Sequence, residues 1–144
     1  MNIFDVPQTV LQPSKIAGVG VFATQDHPKD TPLWFLQART LRVLHKDLPK
    51  ILEHNPGLDY WITRFCCSDS LGTYLPREGF ELMHNVCYMN HSADPSYEYQ
   101  KMGGASFGWP VALVDIVAFE TELTHNYEAV KDRWTFTLVP ERPR

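Results

Sequence analysis

Tyr88-Met89-Asn90-His91-Ser92-Ala93-Asp94-Pro95 is the stretch on which the reading of this chain turns. An apolar run gives way to four polar side chains, and a proline closes the set. Asn, His and Ser together supply several hydrogen-bond donors and acceptors, enough to hold an adenine or a ribose. Taken alone, the same residues also describe an Asx-turn or a plain loop. Two flanking patches bear on the choice. Upstream lies Gly18-Val19-Gly20-Val21-Phe22-Ala23, where glycines two apart let the backbone reach φ > 0 and approach a ligand. By itself this pair reads as a β-turn entering a strand. No third glycine opens a helix after it, so it is not a dinucleotide fingerprint. Downstream, Asp115-Ile116 leads through a turn to Glu122-Leu123-Thr124-His125-Asn126-Tyr127. Tyr127 alone reads as a core aromatic with a wet hydroxyl.

Composition narrows the function classes. The chain has 144 residues and 16.6 kDa, with 44% apolar and 21% charged residues, which fits one globular domain. Thirteen basic and seventeen acidic residues leave a net charge of −4. That balance excludes a general nucleic-acid binder and suits a neutral or basic partner. No apolar run approaches a membrane span. The N-terminus lacks a basic patch followed by an apolar stretch, so a cytoplasmic location is expected, with the nucleus also open. Cys66, Cys67 and Cys87 form an odd set, which points to reduced thiols. They cannot build a four-thiolate zinc site, and vicinal Cys66-Cys67 are poor joint ligands beside His84 or His91, so no metal is expected. Ser68, Ser70, Ser92 and Ser106 sit in no nucleophile elbow. Cys87 near His84 or His91 is a pairing common by chance.

The local pattern predicts a mainly β protein of short strands. Strands are expected at 20–23, 33–36, 39–44, 60–65 and 123–127, with turns at 28–32 and 102–104. The run 111–118 reads as the strongest strand, apolar enough for burial on both faces. A short helix is expected over 47–54, with Asp47 as N-cap, Pro49 in the first turn and Asn55-Pro56-Gly57 as its end. A short helix or turn is expected within 79–90. The tail 140–144 reads as frayed.

In this order and at these separations, the three patches resemble the SET-domain family of protein-lysine methyltransferases. Gly18 to Ala23 is similar to its GxGxFA element, Asn90 to Pro95 to its NHSxxPN element, and 115–127 to its DI…GEELTxDY element. The likeness spans Ser14 to Tyr127. Several positions depart from the pattern. Ser96 stands where Asn is usual, Cys87 where Arg is frequent, and Asn126 where Asp is frequent. Phe119-Glu120-Thr121-Glu122 replaces the GEE turn with one residue more. The zinc-binding flanks of larger members have no counterpart, so the resemblance is to a minimal SET protein, residues 1–144 as one domain with a core over 14–127 and a C-terminal aromatic segment at 128–139.

The resemblance implies a β-clip-like fold of several small sheets, one or two short helices and a C-terminal pseudoknot. It implies methyl transfer from S-adenosyl-L-methionine to a lysine ε-amine of a protein substrate, itself expected to be basic. Gly18, Val19 and Gly20 would offer backbone contacts to the cofactor, and Asn90 and His91 would hold its two ends. Tyr127 would act by position and electrostatics, a phenol being a poor base at neutral pH. Tyr88, Trp134 and Phe136 are candidates for the lysine channel, although Trp134 and Phe136 read equally well as core. A homodimer completing the channel is compatible with the sequence. The alternative is a non-catalytic SET-like module that binds the cofactor or a basic peptide.

Overall fold

The computed structural model of the protein describes residues 4–36, 40–68, 71–101 and 108–127. Its elements are β1 (Thr9–Pro13), β2 (Val19–Ala23), β3 (Thr40–Leu44), α1 (Leu48–His54), α2 (Leu58–Phe65), β4 (Cys67–Ser68), β5 (Gly72–Pro76), β6 (Asn90–His91), β7 (Tyr97–Lys101), β8 (Gly108–Ala112) and β9 (Glu122–His125). Short 3-10 turns lie at Trp34–Leu36, Phe80–Leu82 and Asn85–Tyr88. Small sheets thus dominate the described residues, with two short helices, as expected for a SET-type fold. Among those residues, no helix is long and apolar enough to cross a membrane.

The chain forms two compact units, Met1–Gln37 with Tyr88–Asn126, and Ala38–Cys87 with Tyr127–Arg144. In the first, a four-stranded sheet runs in the order β1-β2-β9-β6. β1 and β2 form an antiparallel hairpin, Thr9 opposite Ala23 and Pro13 opposite Val19. β2 pairs antiparallel with β9 through Val21 and Leu123. β6 lies parallel to β9, with Asn90 opposite Thr124 and His91 opposite His125. A parallel pair needs a crossover. Here the connection contains the antiparallel β7–β8 pair, Tyr97 opposite Ala112. Val21, Ala23, Leu33, Tyr97, Ala112 and Leu123 are fully buried in this unit. The parallel register brings the second and third sequence patches side by side. The course of 128–144, and with it the expected pseudoknot passage, lies outside the described residues.

In the second unit β5 lies between β3 and β4. Leu48 of α1, Ile62 of α2 and Cys66 make its buried centre, with Val43, Leu52, Leu58, Leu75 and Phe80 packed around them. α1 ends where expected. Asn55 is its C-cap, and Gly57 at φ 88° opens α2 in a left-handed conformation that suits glycine. Asp47 is at the N-cap position of α1, but its side chain makes no capping hydrogen bond, since the residue itself has near-helical φ and ψ.

Three expected strands are corrected. Residues 60–65 belong to α2, not to a strand. Leu58, Ile62 and Cys66 recur every four residues on the buried side, and this helical period outweighs the β preference of Tyr60, Trp61 and Ile62. Asp59 in the first turn and Arg64 in the last suit the helix dipole. Residues 33–36 enter a 3-10 turn in which Leu33 and Leu36 are buried while Trp34 is half exposed. The backbone N–H of Leu36 closes on the Leu33 carbonyl at 3.0 Å. The run 111–118 leaves the ladder after Ala112, where the pairing with β7 ends at Tyr97. Val114 and Val117 are then exposed, and Ile116 returns as an isolated bridge to His27. The expected break at Met102-Gly103-Gly104 lies outside the described residues.

Truncation of a buried leucine removes its transfer energy and leaves a cavity. Leu48→Ala is therefore expected to lower unfolding stability by about 2–5 kcal/mol, measured by chemical denaturation.

Candidate functional site

The first unit gathers all three sequence patches around one hydroxyl. Ser14 Oγ donates to Glu122 Oε1 at 2.6 Å. It accepts the backbone N–H of Ile16 at 2.9 Å and of Ala17 at 3.3 Å. The Ser14 N–H donates to the Gly18 carbonyl at 2.9 Å. Residues 14–18 therefore close on themselves ahead of β2, and Gly18 at φ 50° supplies the left-handed step. Residues 15–19 are exposed.

Asn90, buried on β6, clamps this loop. Its Nδ2 has four oxygens within reach: Ser14 Oγ at 3.1 Å, the Ala17 carbonyl at 3.1 Å, the Val19 carbonyl at 3.0 Å and Glu122 Oε2 at 3.1 Å. Four acceptors around one end of the carboxamide mark that end as the NH₂. Its two hydrogens serve carbonyls on both sides of Gly18 as well as the carboxylate. Glu122 thus divides its oxygens, one to Ser14 and one to Asn90, in charge-assisted hydrogen bonds.

The two glycines have different work. A Cβ on Gly20 would lie 2.6 Å from Glu122 Cδ and 2.7 Å from Oε1. Gly20 is required by the close approach of that carboxylate. A Cβ on Gly18 would meet nothing within 4 Å, so Gly18 is required by its backbone angle and leaves open space.

The departures from the family pattern are absorbed locally. Ser96 is buried, its N–H donating to Thr124 Oγ1 at 3.2 Å and its Oγ accepting the Thr124 N–H at 2.9 Å. In the longer turn Phe119 takes φ 61°, unusual for an aromatic. It is held there by its N–H to the Ala23 carbonyl at 2.9 Å and by Gln12 Nε2, which donates to the Phe119 carbonyl at 2.9 Å. Asp115 accepts the Lys29 N–H at 2.9 Å and fastens the approach to that turn. Beside β6, the hydroxyl of buried Tyr97 meets His125 Nδ1 at 2.8 Å, and the Ser92 N–H donates to the His125 carbonyl at 3.1 Å.

Of the predicted site residues, Gly18, Val19, Gly20 and Asn90 come together in this network. His91 is next along β6 and exposed. Tyr88 is half-buried at the end of a 3-10 turn, and Tyr127 follows β9 after Asn126 and groups with the second unit. Trp134 and Phe136 lie outside the described residues. His84 Nδ1 accepts the Val86 N–H at 3.0 Å, which ties that ring to its own turn. Among the described residues, no three His, Cys, Asp or Glu side chains are placed to hold a metal. Ser14 and Glu122 are the residues that motif reading passed over as site residues. Their signal is a serine four positions ahead of a turn glycine, and the acidic residue that follows the turn within the third patch.

A profile of the SET domain matches residues 18–128. That is most of the 144 residues, and the chain belongs to the SET-domain family. No curated protein matches it. SET domains are generally protein-lysine methyltransferases that use S-adenosyl-L-methionine.

Because the Glu122 carboxyl is tied at both oxygens, a methyl on Gly20 cannot displace it freely. Gly20→Ala is expected to cost about 1–3 kcal/mol of stability. In a Glu122→Ala background the same substitution is expected to cost less, and a double-mutant cycle read by denaturant unfolding checks the coupling.

Proposed function

We propose that the protein is an S-adenosyl-L-methionine-dependent protein-lysine N-methyltransferase. One observation carries the reading: the GxG loop, Asn90 of the Asn-His pair and Glu122 of the third patch form a single hydrogen-bonded unit around Ser14, in the family's order. The loop is fixed on its inner side and exposed on its outer side. A rigid exposed backbone of this kind suits a ligand that is recognised through peptide groups, and it lowers the ordering cost of binding.

In this reading Gly18, Val19 and Gly20 hold the cofactor through their backbone. Asn90 has committed its NH₂ to the loop, so its carboxamide oxygen is the atom suited to an ammonium group. His91, exposed at the end of β6, addresses the other end of the molecule. The cofactor, when bound, supplies a methyl group activated by a sulfonium. The protein's task is alignment of the amine with that methyl, since in-line displacement depends on orientation. Tyr127 sets its hydroxyl dipole against positive charge at the reacting centre. The lysine amine must be neutral to attack, and an apolar, aromatic-lined passage desolvates its ammonium and favours the neutral form. Tyr88, Trp134 and Phe136 are the proposed lining. The substrate is a lysine-bearing polypeptide, and the net charge of −4 favours a basic one.

Incubation with radiolabelled S-adenosyl-L-methionine and a panel of basic proteins tests the proposal. Transfer to lysine is expected, with Tyr127→Phe reducing the rate at least tenfold. His91→Ala is expected to weaken cofactor binding in calorimetry. Binding without transfer to any protein would favour the non-catalytic module, and no binding would overturn both readings.

A further inference from the structure

The environment of Glu122 selects a carboxylate over its amide. Ser14 Oγ accepts N–H bonds from Ile16 and Ala17 and lies 3.1 Å from Asn90 Nδ2, so its own hydrogen must leave toward Glu122. Asn90 Nδ2 presents a second hydrogen to the other oxygen of the same carboxylate. Both neighbours are donors. A carboxylate is acceptor-only and answers both, whereas a Gln would turn its NH₂ against one of them. The carboxylate also lies against the backbone of Gly20, which has no side chain to push it away. Glu122 therefore reaches the loop on two routes, through Ser14 to the N–H groups of Ile16 and Ala17, and through Asn90 to the carbonyls of Ala17 and Val19.

We propose that Glu122 is a positioning residue for cofactor binding: acting through Ser14 and Asn90, it holds residues 14–19 in one conformation before the cofactor arrives. The inference rests on the cofactor reading above. Glu122 touches the inner side of the loop, and its effect on affinity comes from ordering that loop in advance. Losing the charged acceptor forfeits at least one charge-assisted hydrogen bond, which corresponds to roughly a tenfold change in an equilibrium constant.

The test uses the full chain and two measurements. The first is the affinity of wild type, Glu122→Gln, Ser14→Ala and Ser14→Thr for S-adenosyl-L-methionine by calorimetry, below the melting range of every variant. The second is amide hydrogen exchange at Ile16 and Ala17 in cofactor-free protein. Glu122→Gln is expected to bind roughly tenfold more weakly. Exchange should be faster at both amides and unchanged at Val10 and Phe22, a hydrogen-bonded pair of the β1–β2 ladder. Ser14→Ala should behave alike, and Ser14→Thr, which keeps the hydroxyl, should approach wild type. Wild-type binding with unchanged affinity in Glu122→Gln would overturn the inference and leave the cofactor reading standing. Weaker binding with unchanged exchange would also overturn it, since Glu122 would then act on the cofactor directly. A wild type that binds no S-adenosyl-L-methionine overturns the cofactor reading itself. Should Glu122→Gln fail to fold, the Ser14 pair decides by the same criteria.

Discussion

Asn90 buries a carboxamide NH₂, and a buried donor must find acceptors or cost the full desolvation of the group. Its partners are the carbonyls on either side of Gly18, the Ser14 hydroxyl and the Glu122 carboxylate. Much of the first unit can be read as meeting this requirement. β6 must lie beside β9, so that Asn90 on one strand and Glu122 at the start of the other share a site. β2 must lie on the far side of β9, so that the loop ahead of it comes within reach. Gly20 must lack a side chain where the carboxylate passes. The buried leucine and valine side chains give this arrangement its stability. The hydrogen bonds of Asn90 give it its register.

The polar network also explains why substitutions relative to the family pattern are tolerated. Ser96 replaces the longer Asn and still answers Thr124 twice, its N–H donating to the Thr124 hydroxyl and its own hydroxyl accepting the Thr124 N–H. The extra residue in the 119–122 turn places Phe119 at positive φ, and two hydrogen bonds to neighbouring elements hold it there. In each case the change stays on the periphery of the Ser14–Asn90–Glu122 cluster. The acidic residue that the cluster needs remains at the first position of β9.

Legibility in the sequence followed the range of the interactions. β2, β3, α1 and the turn at Asn55-Pro56-Gly57 are set by local patterns and were readable there. The family motifs located Gly18, Gly20 and Asn90 because their spacing is ordered along the chain. α2 was not readable as a helix, because Tyr60, Trp61 and Ile62 favour strands, and only packing of Leu58, Ile62 and Cys66 on Leu48 reveals the helical side. The end of β8 was hidden for a related reason: an apolar run continues through Val114 and Val117, but the partner strand has stopped. The role of Glu122 was least legible, since its hydrogen bond to Ser14 spans 108 positions. The helical and strand periods carry no information at that distance.

The same distance governs when the parts can assemble. β9 is an interior strand of the four-stranded sheet, yet it follows most of the described chain. During synthesis the β1–β2 hairpin emerges early and waits with one edge open for a partner roughly 100 residues later, and an open edge invites pairing with other chains. Among the described residues, the packed centre of the second unit draws by contrast on one continuous stretch between Val43 and Phe80. The interleaved order of the chain thus sets the folding schedule of the first unit. The strand that completes the Ser14 cluster also covers the open edge of β2.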